Sequence, residues 1–190
     1  FSPDAIDGPA PYASLVHLGD PQWSAWAWAH ELGHDFTTQL GRGRFMIGPS
    51  FQEAWANVVA IQALRGVGLP EGELGHPIHD GWKTAYGATS DAESVCEDRD
   101  AYLADGTVAQ LDNDPWLALC MLAELDGGRD GALLGLFLRG VAKNAGAGWP
   151  DHGAPEPERW AWFAQAFEEH TAVDVREDLR RWHLLTDGAP

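Results

Sequence analysis

The feature that most constrains this chain is the run PQWSAWAWAHELGHDFTTQL, Pro21 to Leu40, which holds no proline after its first residue and one glycine, Gly33. Asp20 reads as a helix N-cap and Pro21 as the first helical residue, where a missing N–H is harmless, so a helix is expected up to Gly41. Within it stands His30-Glu31-Leu32-Gly33-His34. Residues four apart share one face of a helix, so His30 and His34 can offer two imidazole nitrogens to a single metal ion. Glu31 is turned by about 100 degrees from His30, which places it beside such an ion, where a general base acting on water belongs. A random chain of this composition would contain His-Glu-x-x-His with a probability of roughly 0.02, so accident is a poor explanation.

Charge limits the partners. The 190 residues carry 29 acidic and 12 basic side chains, a formal charge of −17 spread along the chain. Nucleic acid and anionic membranes both require a basic face, and are therefore excluded as expected partners. No apolar run reaches the roughly 18 residues of a membrane span. A hydrophobic content of 45% with ten tryptophans is enough for one core, so a single domain over residues 1–190 is expected. The chain opens at Phe1 rather than methionine, as a processed product or a piece of a longer protein would. Cys96 and Cys120 either close one disulfide, or Cys120 is a small apolar residue within WLALCMLAEL.

The rest of the chain reads as mainly helical. Residues 1–20 hold one short extended candidate, Tyr12 to Leu18. After the glycine-punctuated GRGRFMIGPS, a second helix is expected from Phe51 to Arg65. Residues 66–90 read as a long loop carrying His76, His79 and Tyr86, and long loops in compact domains are often functional. Further helices are expected over 91–104, over 115–126 opening at Asp114-Pro115, and over 130–144, 156–170 and 174–183. Asp112-Asn113-Asp114 lacks the spacing of a calcium loop and reads as an N-cap.

A catalytic zinc takes three protein ligands and leaves one position open. The second helix offers Glu53, with eighteen residues between it and His34. Glu53 has a competing role, because Ser50-Phe51-Gln52-Glu53 is also a capping-box pattern. Asn57, one turn beyond Glu53, either hydrogen-bonds a metal ligand or faces water. Tyr86, Tyr102 and His76 are candidates for stabilising a developing oxyanion, although loop histidines beside prolines are commonly just exposed. Trp23, Trp26 and Trp28 straddle several faces of the first helix, so at least one belongs in the core and an exposed one could stack on a sugar.

His30-Glu31-x-Gly33-His34, followed by Glu53 and then by Asn57 four positions on, resembles the gluzincin zinc metallopeptidases of the enhancin-like, mucin-degrading family, which also carries glycine just before the second histidine. DPWLALCMLAELDGG and DVREDLRRWHLLTDG resemble the helices that follow that family's metal site. The resemblance implies Zn2+ held by His30, His34 and Glu53, with Glu31 as the catalytic glutamate. It implies a zincin-like α+β fold with an active-site helix and a helical C-terminal subdomain. Only 29 residues precede His30, so much of the upstream sheet is expected to be absent from this chain. The implied function is zinc-dependent endopeptidase action on glycoprotein or mucin-like substrates, outside the cell or at its surface. Two alternatives stay open: a gluzincin aminopeptidase, whose ligand spacing is similar, and a non-catalytic glycan- or protein-binding module with a decayed or structural metal site.

Overall fold

The computed structural model describes residues 21–67, 96–129, 131–144 and 148–186, with the side chains of 21–27, 41, 64 and 65 left aside. Among the described residues the chain is helical, with no strand. The helices are α1 (Pro21–Gln39), α2 (Pro49–Gly66), α3 (Arg99–Asp105), α4 (Val108–Leu111), α5 (Pro115–Asp126), α6 (Ala132–Asn144), α7 (Glu156–Thr171) and α8 (Arg176–Arg181), and a 3-10 turn, Leu40–Gly43, extends α1. The extended candidate Tyr12 to Leu18, the Asp20 cap and the loop bearing His76, His79 and Tyr86 lie outside the described residues.

α2 is the axis of the fold. Phe51, Ala54, Trp55, Ala56, Asn57, Val58, Ala60 and Ile61 are all buried, covering nearly the whole circumference. A helix apolar on every side has to be enclosed, and α2 is packed between α1 and α5. α5 then contacts α6, α6 contacts α7 and α7 contacts α8. Periodicity explains the outer layers: α6 buries Leu133, Leu134, Phe137, Leu138 and Val141, and α7 buries Trp160, Phe163, Ala164 and Phe167. These spacings put one apolar stripe on each helix. The stripes meet around Phe137, whose ring stacks on Trp55 at 5.5 Å and on Phe167 at 5.5 Å and meets Phe45 edge-on at 5.7 Å.

Buried charge is used to tie helix ends. Asp114 opens α5 as expected, its carboxylate accepting from the Trp116 and Leu117 N–H groups at 3.0 Å each. Asp126, fully buried at the other end, accepts from Gly131 N at 2.7 Å and Leu133 N at 2.8 Å, which satisfies the free donors at the start of α6. Glu124 accepts from Arg99 at 2.8 Å, Arg181 at 2.7 Å and the Trp182 indole at 3.0 Å, fastening α3 and α8 to α5. Cys96 and Cys120 form a disulfide across 24 residues, a closure that disfavours the unfolded chain by about 3 kcal/mol. Several boundaries differ from expectation: residues 96–98, expected within a helix over 91–104, form a turn and α3 begins at Arg99, the last helix spans Arg176–Arg181 rather than 174–183, and α2 starts at Pro49, two residues earlier, because proline suits a first helical turn. The four-residue α4, started by Gln110 accepting from the Thr107 N–H at 2.8 Å, is too short for periodicity to announce.

Tyr102 is buried on α3 and donates its hydroxyl to the Trp182 carbonyl at 2.9 Å. Burial, with Asp112 and Glu156 adding, pushes the phenol up to about 12. Because the folded value exceeds that of the free side chain, the associated stability is complete below about pH 10 and is lost as pH rises through about 12. Tyr102→Phe should therefore cost about 1 kcal/mol at neutral pH and remove most of this alkaline loss, which urea unfolding at neutral pH and at about pH 11 would read.

Candidate metal centre

The centre forms where α1 crosses α2 in antiparallel sense. As numbers rise along α1 through His30, Gly33 and His34, the facing residues on α2 fall through Asn57, Ala56 and Glu53. Gly33 makes the approach possible: a methyl at its Cβ position would lie 2.6 Å from the Ala56 carbonyl oxygen and 2.9 Å from the Ala56 Cα. Those are backbone atoms that cannot swing aside. Thr37, one turn further and fully buried, returns its hydroxyl to the Gly33 carbonyl at 2.7 Å, so the small inner face of α1 leaves this donor satisfied.

Three ligand atoms converge there. His30 Nε2 lies 3.1 Å from Glu53 Oε2 and 3.1 Å from His34 Nε2, and His34 Nε2 lies 3.4 Å from Glu53 Oε1. Around a tetrahedral metal ion with bonds of about 2.0–2.1 Å, neighbouring ligand atoms are about 3.3–3.4 Å apart, close to the separation of the two imidazole nitrogens, and the Glu53 carboxylate meets each of them with a different oxygen. Among the described residues no further histidine, cysteine or acid joins the group. Glu53 does not cap its helix: α2 has begun at Pro49, and the carboxylate is turned to the two histidines.

Asn57 decides which atom of His30 faces inward. It is buried, and its Oδ1 accepts from His30 Nδ1–H at 2.6 Å, which turns Nε2 toward the carboxylate and the second imidazole. Two imidazole nitrogens and an acceptor-only carboxylate this close call for positive charge among them, either as protons on the rings or as a metal ion. The electrostatics agree. Hydrogen bonds from His30 and then His34 hold the Glu53 carboxyl far below the usual carboxylate range, and the Glu53 bond raises His34, against burial, with Glu31 and Asp35 adding. The donor set, two imidazoles and a carboxylate with a hydrogen-bonded second ring nitrogen, suits zinc. His30 is almost covered, whereas the Glu53 side chain is 48% exposed, so the group opens to solvent on the Glu53 side.

The remaining candidates divide clearly. Glu31 is exposed on α1 beside His34, on which its charge acts. Tyr102 has its hydroxyl engaged by the Trp182 carbonyl. His76 and Tyr86 lie outside the described residues. Trp28 is 40% exposed and turned away from the core. Sequence reasoning missed Arg42, His152 and Arg159, which gather with Gln52 around a cavity one turn from His34. No motif marks them, because 110 residues separate Arg42 from the His152 that bonds its carbonyl.

Gly33→Ala should push the helices apart and lower metal affinity at least tenfold, despite the roughly 0.5–1 kcal/mol that alanine gains over glycine within a helix. Asn57→Leu should lower metal affinity by roughly 10 to 100-fold by freeing the His30 ring, and zinc titration with a competing chelator measures both. Compared with protein-family models, with curated proteins and with solved structures, the chain matches none.

Proposed function

We propose that the chain carries the metal-binding helices of a zincin-like, zinc-dependent endopeptidase. The observation that carries this reading is the convergence of His30, His34 and Glu53 at 3.1–3.4 Å, with His30 oriented by Asn57. Three protein ligands and an open side are the arrangement of a catalytic site rather than of a closed structural one. His30, His34 and Glu53 would hold zinc there, and the ion would supply Lewis acidity to the substrate carbonyl and the attacking water. Glu31 takes a proton from the attacking water on its carboxylate and delivers it to the departing amine nitrogen. Asn57 keeps the His30 ring from turning, and Glu53 lies at the open side by which an extended peptide would enter.

Glycoprotein substrates, and action outside the cell or at its surface, rest on the resemblance to the enhancin-like family, an argument from analogy. The Cys96–Cys120 bond supports the location, since disulfides persist in oxidising compartments. The exposed Trp28, Leu32 and Phe36 on the outer side of α1 favour one companion reading, a binding module that presents this face to sugar or protein.

Elemental analysis of the folded chain should find one zinc per chain, and His30→Ala or His34→Ala should lose it. Glu31→Gln should retain zinc and lower peptide hydrolysis by roughly 10²–10⁴-fold. Full activity in Glu31→Gln sinks the mechanism, and a folded chain that takes up no zinc leaves the binding module. Cleavage of a glycosylated protein should exceed that of its deglycosylated form.

A further inference from the structure

Beside the metal centre lies a cavity of about 360 Å3 lined by Thr38, Arg42, Pro49, Gln52, His152 and Arg159. Its composition runs against that of the chain. Acidic side chains outnumber basic ones 29 to 12 overall, yet two arginines and a histidine line the cavity and no aspartate or glutamate does. The guanidinium of Arg42 makes no ion pair among the described residues, and Arg159 has a buried Nε without a hydrogen-bond partner while its Nη2 donates to the Met46 carbonyl at 3.3 Å. Of the nearby acids, Asp151 is taken by Arg44 at 2.8 Å. Asp112 comes up behind Gly48 and interacts electrostatically with Arg159 from there, outside the lining of the cavity. The cavity also opens at the first turn of α2, an 18-residue helix whose free N–H groups add partial positive charge.

Position ties the cavity to the metal. Thr38 follows His34 by one helical turn, and Gln52 directly precedes Glu53, so the cavity continues the α1–α2 groove from the centre toward the end of α1. One turn is about 6 Å, the span of two residues of extended peptide. Arg42 is held there by an unusual backbone. Its φ of +59° is left-handed, and His152 Nε2–H fixes it by donating to the Arg42 carbonyl at 3.1 Å. Non-glycine residues held in this way concentrate at ligand sites.

We infer that Arg42, His152 and Arg159 form a subsite for a carboxylate of the substrate peptide, about two residues from the bond held at the metal centre. This rests on the peptidase reading for its substrate, while the cationic cavity itself stands apart from it. The chain would then prefer peptides with an acidic residue, or a terminal carboxylate, at one fixed distance from the scissile bond.

The test is binding to the full chain carrying Glu31→Gln, with zinc added, which separates recognition from hydrolysis. The probes are end-blocked alanine peptides with one glutamate moved through each position, their glutamine counterparts, and a glutamine peptide with a free C-terminus. At one position glutamate should bind about tenfold more tightly than glutamine, as a charge-assisted bidentate contact would give. Arg42→Asn, which suits a left-handed backbone, should bring that ratio near one, and Arg42→Lys should restore part of it. Preference only for the free C-terminus assigns the subsite to a terminal carboxylate, and preference within blocked peptides assigns it to an acidic side chain. A ratio near one at every position and for the free terminus, or a ratio that survives Arg42→Asn, overturns the inference. Zinc content measured on the same samples keeps the two readings apart: zinc uptake without acid preference removes the subsite and leaves the peptidase.

Discussion

The close approach of α1 to α2 at Gly33 is the constraint on which the site depends. Any larger residue there meets the Ala56 backbone, so the distance between the helices is set by the absence of a side chain. His30 and His34 are thereby brought to Glu53, and His30 to Asn57, from a single crossing point. The interaction is geometric first and electrostatic second. Once the backbones are this close, a 2.6 Å hydrogen bond from His30 to Asn57 sets the ring, and the ring sets which nitrogen meets the carboxylate.

This arrangement reverses the usual orientation of a surface helix. The described residues that α1 buries are His30, Gly33 and Thr37, whereas Trp28, Leu32 and Phe36 are exposed at 40%, 58% and 48%. Both sets recur at helical spacing, so α1 has two well-formed faces and turns the more polar one inward. On the described part of that face, the His30–Asn57 bond, the Glu53 contacts and the internally satisfied Thr37 hydroxyl leave the inner groups partnered.

How much of this was legible in the sequence follows from the range of each signal. Asp114-Pro115 announces α5 because a cap and a first-turn proline act within a few residues, and α5 spans Pro115–Asp126 as expected. His30 and His34 are equally local. Glu53 was ambiguous because a capping box and a metal ligand call for the same residue, and only the start of α2 at Pro49 separates them. Asn57 could be placed one turn from Glu53 but not turned inward or outward without the opposite helix. Tyr102 could have served a site or the core, and a carbonyl 80 residues away decides for the core. The disulfide and the Arg42–His152–Arg159 cavity depend on contacts that no local pattern encodes. The mainly helical class is visible in both sequence and structure, because apolar periodicity in α6 and α7 is itself the cause of their packing.

The two halves of the metal centre differ in how firmly the fold holds them. Glu53 and Asn57 belong to α2, which is enclosed by α1 and α5 and anchored by Trp55 against Phe137 and Phe45, so their backbone is fixed by the aromatic core. His30 and His34 belong to α1, whose described inner face meets α2 through the polar contacts of the centre. A metal ion held there would place positive charge beside a carboxylate and two imidazoles at the contact between α1 and α2. A metal ion that bound only the docked arrangement would stabilise the α1–α2 contact in proportion to its occupancy.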